Sequence, residues 1–135
     1  MQNFIYALIQ VIHNFGAVAV VGVAASALWM VPAAGVIRRR LALLSAVAWV
    51  VQAATGVLFG ISTFYFESHL PDIHGIAVDA LIIKMSCAAG GFFLAIACVK
   101  WESGWSETRR LYAWRALLAL GTVALSSAAF LRWFS

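Results

Sequence analysis

The chain reads as long apolar runs separated by short polar breaks. Runs over 4–31, 41–66, 75–99 and 111–134 are each long enough to cross a hydrocarbon core as a helix, which takes about 20 residues. The breaks are "IRRR" (Ile37–Arg40), "ESHLPDIH" (Glu67–His74) and "KWESGWSETRR" (Lys100–Arg110). Short connections between long helices predict antiparallel neighbours running up-down-up-down. Pro32 ends the first run and Pro71 sits in a break, so no span is interrupted. The predicted architecture is all-α: a single domain, residues 1–135, folded as an integral membrane four-helix up-down bundle.

Composition sharpens this reading. The 135 residues are 64% hydrophobic and 10% charged, with a mean hydropathy of +0.97. A soluble domain is nearer half apolar and a quarter charged, and one this small cannot hide so much apolar surface. The first run lacks a basic n-region and a clear cleavage site, so it is expected to span rather than to act as a signal peptide. Lys and Arg concentrate in the first and third breaks, while the middle break has two acids and neither Lys nor Arg. That bias marks the cytoplasmic face of the inner membrane and places both termini on the outer (periplasmic) side, with Arg132 a minor exception. The net charge of +4 therefore reads as a topology signal or an anionic-lipid contact, not as nucleic-acid binding. Cys87 and Cys98 form no CxxC and read as small apolar filler in the third run.

Helix faces come next. Small residues favour close helix contact in lipid, and the third run carries such a stripe: Ala77, Ala80, Lys84, Ala88, Gly91 and Ala95. Val78, Ile82, Phe93 and Ile96 lie on its other side. The first run has Tyr6, Gln10, His13 and Ala17 in line, with Asn14 beside them. The second has Ser45, Gln52, Thr55, Gly56 and Thr63, and the fourth Thr122, Ser126 and Ser127. Polar groups inside a bilayer need partners within the protein, so these stripes predict a polar or cofactor-holding interior.

Two ionisable residues fall deep in the spans. His13 and Lys84 each lie nine residues into their runs, about 14 Å deep at a helical rise of ~1.5 Å per residue. A charged group at that depth is a functional candidate by default. An imidazole and an amine at matched depth suit a metal, and a b-type haem in particular. His13 would be the axial ligand, and Lys84 a second ligand or a charge partner to a propionate, a quinone oxygen or a carbonyl. Gly16, one turn on, would let a flat macrocycle approach; Gln52 and Thr55 would shape the pocket. His74, at the mouth of the third run, is either a further ligand or a hydrated loop histidine, and His69 is read as the latter. Asp79 lies some 140° around the helix from Lys84 and reads as an interfacial carboxylate; Met85 points about 100° away. There is no CxxCH, P-loop or HExxH. A copper relay would want Met, Cys or His in series, and here they are scattered.

"HNFGAVAVVG" (His13–Gly22) resembles the first-helix pattern of the HemJ-type protoporphyrinogen oxidases. "TGVLFG" (Thr55–Gly60) followed by "VDALIIKMSCAAGGFFLAIA" (Val78–Ala97) resembles the copper-resistance protein D family, in which a TG-containing helix precedes one with an intramembrane lysine. The resemblance implies a four-helix membrane fold in which His13 and Lys84 serve a b haem. It also has departures. Ser26, Trp29 and Asp79 stand where the HemJ-type proteins carry arginines in or beside their helices, which weighs against porphyrinogen oxidation. Ala19–Gly22 replaces the tryptophan-glycine signature of the copper-resistance proteins.

Three functions are therefore expected to compete. The first is a b-haem electron carrier, a small subunit of a larger membrane redox complex with a quinone or cytochrome partner. The second is a copper-handling membrane protein. The third is a structural subunit, assembled with itself or with other membrane subunits, in which His13 and Lys84 serve as hydrogen-bonding pegs.

Overall fold

A computed structural model describes residues 1–30, 35–68 and 73–134. Four helices occupy nearly all of it: α1 (Gln2–Trp29), α2 (Gly35–Glu67), α3 (Ile76–Trp101) and α4 (Glu107–Phe134). A 3-10 turn, Glu102–Gly104, joins α3 to α4, and the described residues contain no strand. All four helices are long and apolar enough to cross a membrane. The expected all-α, four-helix organisation is what the chain adopts.

The helix ends differ from the apolar runs. α2 begins at Gly35, so Arg38, Arg39 and Arg40 form its first turns rather than a connecting loop. α4 begins at Glu107 and takes in Arg109 and Arg110. Hydropathy locates the edge of the hydrocarbon, but arginine is a good helix former and the helix continues past that edge. Ser106 caps α4: its Oγ accepts from the Arg109 N–H at 3.3 Å and its carbonyl from the Arg110 N–H at 3.1 Å. Pro32, His69 and Pro71 lie outside the described residues.

Each helix packs on two neighbours, in the ring α1–α2–α3–α4, leaving α1 and α3 on one diagonal. Matched contacts fix the directions. Tyr6 meets Thr63 while His13 meets Thr55, so α1 and α2 are antiparallel. Arg38 meets Glu102 while Trp49 meets Gly91, so α2 and α3 are too. Both chain termini therefore lie at one end of the bundle, and the arginine-rich helix starts lie at the other.

The α3 stripe follows its spacing in large part. Ala77, Ala80, Gly91 and Ala95 are buried, Lys84 and Ala88 are half-buried, and Val78, Ile82 and Phe93 face outward. Ile96, expected on the outer side, is instead half-buried and packs on the core. Small residues permit the approach: a Cβ on Gly91 would overlap the Trp49 indole, and one on Gly121 would reach Val20 Cγ1 at 2.9 Å. The α4 stripe is only partly internal, with Ser127 buried but Thr122 and Ser126 exposed. These hydroxyls donate to carbonyls one turn back in their own helix, at 2.9 Å for Thr122 and Ser126 and 2.8 Å for Ser127. A hydroxyl satisfied in this way can face an apolar surround without a partner on another helix.

Candidate functional site

Three helices bring part of the polar stripes together on the bundle axis, while Asn14, bonded to Gln10, and Gly56 are exposed. α1 supplies His13, which is 9% exposed; α2 supplies Gln52 and Thr55, both buried; α3 supplies Lys84, half-buried. The Gln52 Nε2 donates to the His13 carbonyl at 2.5 Å, locking α1 to α2 at this level. A Cβ on Gly16 would meet that same Nε2 at 2.7 Å and Val51 Cγ1 at 3.0 Å. The space that Gly16 leaves is thus taken by the Gln52 amide, and it closes the helix pair instead of opening a flat face.

Donor counting assigns the imidazole tautomer. Thr55 has one hydroxyl proton and gives it to the Val51 carbonyl at 2.6 Å, a shorter contact than the 3.3 Å to the Gln52 carbonyl. Its oxygen lies equally close, 2.6 Å, to His13 Nδ1; with Lys84 protonated and able only to donate to Nε2, the ring proton sits on Nδ1 and Thr55 accepts it. Nε2 keeps its lone pair, and that lone pair faces Lys84 Nζ at 3.3 Å, which donates. Lys84 makes no other hydrogen bond or ion pair among the described residues. Two further N–H groups on this nitrogen remain for a ligand acceptor.

Aromatic rings close the site toward the terminal end. Phe59 presents itself edge-on to the His13 ring at 5.8 Å and stacks with Tyr6 at 6.4 Å, and Tyr6 donates to Thr63 at 3.1 Å. Toward the opposite end Trp49, 2% exposed, fills the interior against Gly91. Neither its Nε1 nor the buried Ser45 hydroxyl has a partner among the described residues.

The remaining sequence candidates stand apart. His74 is exposed just ahead of α3, ten residues before Lys84 or about 15 Å along the chain at helical rise. Asp79 is exposed on another face of α3, and Met85 is 63% exposed and turned away from the axis. No three His, Cys, Asp or Glu side chains gather as metal ligands among the described residues.

One polar centre has no counterpart in the stripe reading. Glu102 is 6% exposed where α3 ends. Its carboxylate faces Arg38 Nε at 3.4 Å and accepts from Trp114 Nε1 at 3.5 Å, while its carbonyl accepts from Arg110 Nε at 3.1 Å. It ties α2, α3 and α4 together at the arginine-rich end. The available signal was Glu102 beside Trp101, one of two carboxylates (with Glu107) in a break whose other charges are Lys100, Arg109 and Arg110. No family model, curated protein or solved structure matches the chain.

Proposed function

We propose that the chain is an inner-membrane protein, termini outside, that carries electrons through a b-type haem held by His13 Nε2, as a small subunit of a larger membrane redox complex. The observation that carries this reading is the oriented imidazole. Thr55 holds the proton on Nδ1, which leaves a neutral ring with its Nε2 lone pair on the bundle axis, the arrangement a ligating histidine requires.

The donor set suits such a group, and the spacing selects a role for Lys84. Nε2 and Nζ are 3.3 Å apart with Nζ on the Nε2 lone pair, so a metal would bind at Nε2 only once Lys84 swings aside, and Lys84 would then serve as its charge partner. The N–H groups of Lys84 can then bind a carboxylate such as a propionate. Gln52 holds the His13 backbone in place, and Phe59 packs against the His13 ring. A bound haem would supply one-electron chemistry.

The copper-handling alternative has less support, since the described residues gather no third His, Cys, Asp or Glu ligand. The peg alternative draws on the same bonds, because Gln52 and Thr55 also bind α1 to α2. Metal analysis of purified protein separates the three. The haem reading expects iron in near-stoichiometric amount, lost in His13→Ala; copper without iron supports the second reading, and no metal at all supports the third.

A further inference from the structure

We propose that α1 pairs with α1 of a second copy of the chain through the carboxamides of Gln10 and Asn14. Asn14 is the thirteenth of the 28 residues of α1, counted from Gln2, and it is exposed. It therefore stands mid-span on the outer surface of the bundle, roughly 18 Å from the nearer helix end at ~1.5 Å per residue. An asparagine side chain is too short to reach either interface from there. Gln10, one turn back and half-buried, donates from Nε2 to the Asn14 Oδ1 at 2.7 Å. That one bond leaves both Asn14 Nδ2 protons and the Gln10 Oε1 without a partner among the described residues. The exposed Thr122 and Ser126 differ, since each returns its proton to a carbonyl of its own helix. Lipid offers no hydrogen bond, so the two carboxamides call for a protein partner at that depth.

The chemistry of this face selects a second copy. Copies inserted with one topology can be related by a twofold axis along the membrane normal, which sets each α1 residue opposite its own counterpart at equal depth. A group on that axis must pair with itself. A carboxamide can, because it holds donor and acceptor together. α1 has no Asp, Glu, Lys or Arg, so no like charges oppose each other across the axis. The rest of the face suits close approach. Ala7, Val18 and Ala25 are exposed in line with Asn14 at helical spacing, and a Cβ on the neighbouring Gly22 would meet nothing within 4 Å. His13 turns inward to Thr55, about 100° around the helix from Asn14, so pairing leaves that site in place.

Förster transfer between donor- and acceptor-labelled full-length chains in phosphatidylcholine vesicles, diluted stepwise with lipid, tests the pairing. The labels go on Ser103→Cys in a background lacking Cys87 and Cys98. Transfer is expected to fall on dilution as a two-chain equilibrium. Asn14→Leu should weaken association by about tenfold, the scale of a pair of interhelical hydrogen bonds in lipid, and Asn14→Gln should retain most of it. Asn14→Leu places an apolar side chain on an outer surface, so its thermal melt by circular dichroism should match the native one. Oxidative cross-linking locates the face: Val18→Cys should give a disulfide-linked dimer, and Phe93→Cys, on the outer side of α3 across the ring, should not. Chains that stay monomeric in vesicles, as they would if a different subunit covers this face, overturn the proposal. So does a dimer that Asn14→Leu leaves unchanged, or one that cross-links at Phe93→Cys and not at Val18→Cys. Neither readout involves iron, so the pairing and the haem reading can fail independently.

Discussion

Thr55 and Lys84 carry the sharpest consequences at the scale of single residues. Thr55→Val removes the acceptor for His13 Nδ1–H and leaves a buried donor unpaired, which costs about 1–3 kcal/mol. The unfolding midpoint in detergent should fall accordingly, and Thr55→Ser should restore it. Lys84→Met is expected to act in the opposite direction. A cation at the centre of a span costs roughly 2.5–3.5 kcal/mol on insertion scales, and this one has a single partner among the described residues. The variant should therefore unfold later while retaining less iron, whereas a lysine serving only as a packing peg would lose stability when replaced. These residues were legible in the sequence because a polar group in an apolar run stands out and its helical register can be counted. The role of Gly16 was not legible: register shows that a gap exists, but only the neighbouring helix decides that Gln52 fills it.

Helix elements are held by close approach along the middle and by one polar knot at the end. The Gly91–Trp49 contact sets the spacing of α2 and α3. Gly91→Ala overpacks it, and a loss of about 1–3 kcal/mol is expected. Trp49→Leu in the same chain should recover part of that loss, which a double-mutant cycle would read as coupling. The small-residue stripe of α3 is legible from its period, with Ala77, Ala80, Gly91 and Ala95 buried, but its outer boundary is not, since Ile96 packs on the core. The α4 stripe was read only in part, because a hydroxyl bonded within its own helix carries no information about which way it faces. The Glu102 knot went unseen for another reason: its partners Arg38, Arg110 and Trp114 come from two helices whose starts hydropathy does not mark.

Over the whole molecule, two separate facts meet. The antiparallel ring places the termini together and the arginine-rich helix starts together at the other end. The proposed orientation adds that the arginine end faces the cytoplasm, and single cysteines placed in a background lacking Cys87 and Cys98 test it. With a membrane-impermeant maleimide on intact spheroplasts, Ser68→Cys should label and Ser103→Cys should label only after lysis. The number of helices and their pairing followed from apolar run length and short breaks. The meeting of His13 and Lys84 across the α1–α3 diagonal needed the three-dimensional ring, because the chain order does not say which helices face one another. The central claim is that this meeting point holds a haem through His13. Its most direct measurement is the visible absorption spectrum of the purified protein, oxidised and reduced, beside that of His13→Ala. A Soret band that is present in the native protein, shifts on reduction and disappears in the variant is the predicted result. A protein without that band, or a band that His13→Ala leaves unchanged, contradicts it.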